Sequence, residues 1–168
     1  MTPARLTLFT MIRAVPYATD GAHTAEALFT TGRGDCLAKS AALVRGLRDL
    51  GYRARPVRWL YHLPDRPAEV ALLRSREDVH TAAEAELSGR WVLVDATHDP
   101  ALGAAGLTVA EWDGISDTAP AYPPAGPLWR PGDGPEPVPN RGSVGPDPAG
   151  AVYRAAFNRW LREARGGG

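Results

Sequence analysis

Thr31-Gly32-Arg33-Gly34-Asp35-Cys36-Leu37-Ala38-Lys39-Ser40 holds the one cysteine of the chain and, by its residue order, sets it at the start of a helix. Gly32 and Gly34 allow a tight turn and Asp35 is a good helix N-cap. Apolar residues at helical spacing then run through Leu37, Ala41, Val44, Leu47 and Leu50 to Gly51. Cys36 therefore falls in the first turn. There the backbone N–H groups without intrahelical partners and the positive end of the helix dipole favour thiolate over thiol. A lone cysteine also serves as a small buried hydrophobe, so its neighbours must decide between the two readings.

Upstream, residues 24–31 read as a short helix that Gly32 ends, and Val15-Pro16-Tyr17 with Thr19-Asp20-Gly21 reads as a loop. The N-terminus reads as a first helix with Thr2 as cap and Pro3 at the first helical position. Its apolar run over 6–12 is cut by Arg13, a poor leader and far too short to span a membrane. Downstream, residues 52–62 alternate as a strand, and Pro56, which has no N–H to donate, marks it as an edge. A polar loop over 63–77 follows, either a lid or a plain connection.

Residues 79–97 are the second informative stretch. Two strand-like runs, 79–87 and 90–96, are joined by Ser88-Gly89, which is common hairpin turn chemistry. If Leu87 faces Arg90, then His80 lies opposite Thr97 and Asp95 opposite Ala82. His80 and Asp95 become diagonal neighbours on one face, ~7–8 Å apart at the backbone, within reach of an imidazole and a carboxylate. The other face supports this register with a coherent apolar set of Ala83, Ala85, Leu87, Val92, Val94 and Ala96.

A histidine held by a carboxylate, near a thiol at a helix start, is what thiol catalysis needs. The imidazole takes the proton, the carboxylate fixes its tautomer, and backbone N–H groups hold an oxyanion. The pieces that carry a likeness are Gly34-Asp35-Cys36 with Ala42-Leu43 and Gly46-Leu47-Arg48-Asp49-Leu50-Gly51-Tyr52-Arg53-Ala54-Arg55, then His80 with Glu84, then Gly89-Arg90-Trp91-Val92-Leu93-Val94-Asp95-Ala96-Thr97. In these pieces and their order the sequence resembles the transglutaminase-like superfamily. The resemblance spans 24–97 and implies an α+β, cysteine protease-like (papain-like) core, with the nucleophile helix packed on an antiparallel sheet. It also implies the roles of nucleophile for Cys36, base for His80 and orienting carboxylate for Asp95. Many members carry aromatics where this chain has Leu37 and Ala82, and those aromatics help form the tunnel of cross-linking enzymes. The resemblance therefore implies peptidase or amidase chemistry ahead of glutamine-to-lysine cross-linking.

A chain of 168 residues suits one domain with a core that needs no staples. Its single cysteine excludes an internal disulfide and fits a reducing compartment, so a cytoplasmic location is expected. Nineteen basic and nineteen acidic residues balance, which leaves no electrostatic footprint for nucleic acid or an anionic membrane. His23, His62 and the spread carboxylates lack metal-ligand spacing and no acidic cluster resembles a calcium loop, so neither metal nor cofactor is expected. His98-Asp99 is a rival dyad, although a polar strand end needs no special explanation. Arg33-Gly34-Asp35 spells an adhesion tripeptide whose glycine the turn before Cys36 already explains. Trp112-Asp113-Gly114 reads as a turn with the indole on the core.

The expected organisation is a transglutaminase-like domain over 1–121, a Pro/Gly-rich extended segment over 122–150, and a helix over 151–165 that docks on the domain or on a partner. Asp147-Pro148 reads as the cap and first residue of that helix. The expected activity is thiol acyl transfer on an amide or ester carbonyl of a protein or peptide, with water ahead of an amine as acceptor. The alternative is a non-catalytic module that binds a peptide in the same groove.

Overall fold

The computed structural model of the chain describes residues 3–140 and 147–166. Thr2, read as the first cap, lies outside the described residues. Helix α1 (Ala4–Ala14) begins after Pro3, whose extended backbone (φ −57°, ψ 140°) puts it at the cap position and not inside the first turn. Phe9 and Ile12 of this helix are buried, Phe9 5.6 Å from the Trp112 ring.

The loop expected around 15–21 is in part a strand, β1 (Tyr17–Ala22). It pairs with the turn that leads to the thiol: Ala22 N donates to Arg33 O (2.9 Å), Gly34 N to Pro16 O (3.1 Å) and Asp35 N to Ala22 O (3.0 Å). Gly21 makes this approach possible, since a Cβ there would stand 2.7 Å from Arg33 O. A strand containing Asp-Gly and paired with a turn shows no alternation, which is why the sequence hides it.

Helix α2 (Ala25–Thr31) is capped by Thr24, which accepts from Ala27 N, and ends at Gly32 with φ +72°. Helix α3 (Cys36–Asp49) starts at the cysteine, with the Asp35 side chain accepting from Ala38 N at 2.9 Å. It buries Ala38, Ala42, Leu43 and Leu47 against Ala54, Ala83, Ala85, Val92 and Val94 of the sheet. That contact is the main core, and it orients the thiol turn.

Strands β2 (Ala54–His62), β3 (Glu77–Leu87) and β4 (Arg90–Val94) form an antiparallel sheet in the order β2-β3-β4. β2 is the edge, as Pro56 required. Arg58 and Leu60 direct their main-chain groups outward, to Trp129 (2.9 and 2.7 Å) and Ala125 N (2.7 Å). Pro56 shares their parity, so its missing N–H costs no ladder bond. The same contacts show the Pro-rich segment lying along the outer edge of β2, fastened by an Arg58–Glu136 ion pair and by Arg130 on Glu84 (2.7 Å). Leu87 faces Arg90 in the expected register, and Ser88 and Gly89 both have positive φ (51° and 78°), the primed hairpin turn. β3 starts earlier than read, at Glu77, and β4 stops at Val94, short of Ala96.

The loop after β2 contains a 3₁₀ turn (Ala68–Leu72), and a second such turn (Pro100–Ala105) follows β4. The last helix, α4 (Pro148–Gly166), begins at Pro148 as the Asp147-Pro148 pair predicts, three residues ahead of the 151 given for the docking helix. It docks on the domain. Tyr153, Phe157 and Leu161 are buried with Tyr17, Val70 and Leu102, and Asn158 hydrogen-bonds both the N–H (2.9 Å) and the hydroxyl (2.8 Å) of Thr19. The loop over 63–77 is thus pinned through Val70 beneath α4. Among the described residues no helix is long and apolar enough to cross a membrane.

Candidate active site

Cys36 is partly exposed at the first position of α3. Asp35 takes the N–H of Ala38 with its side chain and that of Lys39 with its carbonyl. The N–H groups of Cys36 and Leu37 fall in the first turn of α3, where a helix offers no intrahelical acceptor.

His80 and Asp95 meet as the hairpin register predicts. Nε2 of His80 donates to Oδ2 of Asp95 at 2.9 Å, and both side chains are fully buried. β4 leaves the ladder at Val94, opposite Ala83, so the β3 edge beside His80 is open on that side. Asp95 turns into this opening and is held there. Oδ2 also accepts from Ala121 N (2.8 Å), Oδ1 accepts from Thr97 N (3.0 Å), and the Asp95 N–H donates to Thr118 Oγ1 (2.9 Å). With Nε2 committed to Asp95, Nδ1 has no hydrogen-bond partner among the described residues and is the nitrogen left for the thiol.

Charge and burial act in opposite directions on this pair. Burial alone disfavours the imidazolium, but the Asp95 carboxylate by charge and hydrogen bond, and Cys36 by the same two means, raise the His80 pKa to about 10. Burial would raise Asp95 too, yet His80 and the N–H of Ala121 hold it well below the usual carboxylate range. Both shifts favour imidazolium and carboxylate in this buried pair.

Aromatic rings wall this pair. Trp59, directly opposite His80 in the ladder, lies 4.8 Å from the imidazole and donates Nε1–H to Tyr122 O (2.9 Å). Tyr122 lies 5.3 Å from His80, stacks on Tyr61 at 4.3 Å and donates its hydroxyl to that of Tyr17 (3.3 Å). Burial, with the Cys36 charge adding to it, pushes the phenols of Tyr17, Tyr61 and Tyr122 upward, so they stay neutral.

The rival dyad is not assembled. His98 donates Nδ1–H to Thr108 O (2.8 Å) and burial lowers its pKa to about 4, while Asp99 instead takes Arg165 (2.6 Å) and Tyr17 N (2.9 Å). His23 pairs with Asp35 at 2.5 Å, and no group of three or more His, Cys, Asp or Glu is placed to hold a metal among the described residues.

Lys39, one turn after Cys36, is buried and was not singled out from the sequence. Its Nζ donates to the carbonyls of Arg13 (3.2 Å), Val15 (2.7 Å) and Thr97 (2.7 Å), one acceptor for each of its three donors. Burial lowers its pKa to about 7 against the pull of Asp99 and Asp95. It ties the thiol helix to the end of α1 and to the strand exit that carries Asp95.

A family model described as the transglutaminase-like superfamily matches residues 5–96, more than half of the chain. The chain belongs to this superfamily. It has the mixed fold expected of it, with helices packed on an antiparallel sheet. No curated protein gives a significant match. Among solved structures it is similar to a candidate cysteine protease from Cytophaga hutchinsonii, with a TM-score of 0.45 and 18% identity over 80% of this chain. The present chain spans only 46% of the length of that neighbour.

Sequence reasoning singled out Cys36, His80 and Asp95 but not the rings packed around His80. Trp59 was within reach, because it shares the alternating set of Val57 and Tyr61 on the strand opposite β3. Lys39, the only lysine of the chain, three residues after the thiol, was a further signal. Nothing local marks Tyr17 or Tyr122.

Proposed function

We propose that Cys36, His80 and Asp95 act as a thiol acyl-transfer triad on an amide or ester carbonyl of a protein or peptide. Water is the acceptor ahead of an amine, and peptidase or amidase chemistry is favoured over cross-linking. The observation that carries this reading is the buried His80–Asp95 pair, whose remaining ring nitrogen is left to Cys36.

Cys36 attacks the carbonyl carbon as thiolate, and the N–H groups at the start of α3 steady the oxyanion. His80, protonated on Nδ1, passes that proton to the leaving group. Neutral again, it takes a proton from water, whose oxygen cleaves the thioester. Asp95 holds the ring and stabilises the imidazolium throughout. A single free thiol fits a reducing compartment, and a cytoplasmic location is part of this reading.

The test is a panel of labelled peptides, glutamine amides and simple esters, each with and without an amine. Wild type should turn over at least one member and Cys36→Ala none. Amine-dependent product would favour a transferase. If the two proteins are indistinguishable throughout while both retain one peptide ligand, the non-catalytic module is the better reading.

A further inference from the structure

Strand β4 ends at Val94, so residues 95–97, which carry the Asp95 carboxylate, lie beyond the ladder. Tertiary hydrogen bonds hold them, and the one that comes from the thiol helix is made by Lys39. Its Nζ donates to Thr97 O (2.7 Å), Thr97 N donates to Asp95 Oδ1 (3.0 Å), and Asp95 Oδ2 accepts from His80 Nε2 (2.9 Å). The carbonyl and the N–H of Thr97 belong to rigid peptide planes that share one Cα, so fixing the first restricts where the second points.

The other end of this link is the thiol turn itself. Lys39 stands one turn after Cys36, and its own N–H is held by the carbonyl of the capping Asp35 (3.1 Å). Its Nζ also donates to Arg13 O (3.2 Å) and Val15 O (2.7 Å), and the next residue, Pro16, accepts the N–H of Gly34 (3.1 Å). The exit of α1, the turn before the thiol and the stretch after β4 therefore meet at one ammonium.

Packing alone does not call for a lysine here. The residue is 1% exposed, its three acceptors are neutral carbonyls, and taking an ammonium out of water is costly even when every donor is used. A methionine would fill a similar space without that cost. What it lacks is three donors on one atom, able to fix three carbonyls at once.

We propose that Lys39 is a positioning residue of the site: by tying α3 to Thr97 it sets where the His80–Asp95 pair stands relative to the Cys36 sulfur. The proposal rests on Cys36, His80 and Asp95 acting together, and it adds the residue that holds the two halves in register.

The test is a cycle of wild type, Lys39→Met, His80→Ala and the double variant, with folding checked by far-ultraviolet circular dichroism. Each is read by the rate at which iodoacetamide alkylates Cys36, followed by intact mass. Rates are taken on the acid side of the Lys39 pKa of about 7, where the ammonium keeps all three donors. Lys39→Met should slow alkylation about tenfold or more, since a displacement of ~1 Å costs up to ~10²-fold in a positioned reaction. Once His80 is gone, the same substitution should change the rate less than about twofold. An unaltered rate in Lys39→Met, or an equal loss in both backgrounds, overturns the proposal, because Lys39 then shapes only the core or the thiol turn. If Lys39→Met does not fold, the cycle is run with Lys39→Gln, whose amide keeps two donors and should slow alkylation severalfold. Failure of both to fold makes Lys39 a residue of the fold at large and also overturns the proposal.

Failure of the triad reading looks different: iodoacetamide would then react equally with wild type and His80→Ala. In that event Lys39 is judged on the ring ¹⁵N shifts of His80 in histidine-labelled protein, with the exposed His62 as internal control. A change at His80 beyond that at His62 in the folded Lys39 variant upholds the positioning of the pair, and unchanged His80 shifts overturn it.

Discussion

The stretch that matches the superfamily, 5–96, and the residues after it contribute to the same site in different ways. The first is built of regular elements and carries Cys36, His80 and Asp95, the three candidate side chains. The second, over 97–140 and 147–166, has one long helix and little other regular structure. Yet it supplies the Ala121 N–H and the Thr118 hydroxyl to Asp95, the Tyr122 ring against His80, and the Arg165 that locks Asp99 and Tyr17. The difference teaches that chemistry and burial are encoded separately here. Local motifs place His80 and Asp95, whose mutual charge and hydrogen bond drive their pKa shifts against burial, and a poorly patterned tail covers the pair and fixes the Asp95 carboxylate.

The largest effect should come from the first region. His80→Ala should lower kcat/KM on any substrate found by ~10²–10⁴-fold while far-ultraviolet circular dichroism stays as in wild type, because an acid–base group is lost and no helix is. An unaltered rate would detach His80 from the chemistry. The matching break in the tail is Phe157→Ala, which opens a cavity between α4 and the β1 and 3₁₀ contacts it covers. Urea unfolding should report a loss of about 3–5 kcal/mol. A loss under 1 kcal/mol would mean that α4 merely rests on the domain.

Asp95→Asn tests the junction of the two regions. It leaves a buried imidazole without its counter-charge, at a cost of about 3 kcal/mol. The pH dependence has a defined sign. The folded pKa of His80 is raised from 6.5 to about 10, so its share of the stability is complete below pH 6.5 and is lost as pH rises through about 10. Asp95 is depressed from 3.8, so its share is present above that value and is lost in acid. The stability gap between wild type and Asp95→Asn should therefore be largest on the acid side of pH 6.5, above about pH 4, and close as pH rises toward 10. A gap that grows with pH would contradict the imidazolium assignment. The smallest expected change is Thr118→Val, which leaves the Asp95 N–H unpaired and should cost ~1–2 kcal/mol with little change in the His80 titration followed by NMR.

The hairpin shows how far local reasoning reaches. Ser88-Gly89 and two alternating runs determine a register, and the register alone brings His80 to Asp95. Reasoning of the same kind failed over 15–21, because β1 pairs with a turn and not with a sheet, and no periodicity marks such a partner. It also failed at Lys39, which helical spacing puts on α3 but whose three carbonyl acceptors come from three separate stretches of chain.

By itself, the sequence determined the thiol at the start of a capped helix, the edge position of the Pro56 strand and the pairing of His80 with Asp95. Each depends on backbone geometry and on side chains close along the chain or joined by a two-residue turn. Only the tertiary structure decided that Asp95 is buried under Ala121, that Trp59, Tyr61 and Tyr122 wall the imidazole, and that α4 closes over β1. Those outcomes follow from contacts between residues as far apart as Thr19 and Asn158. They are settled by which apolar surfaces find each other once the core has formed, and no local pattern along the chain records that choice.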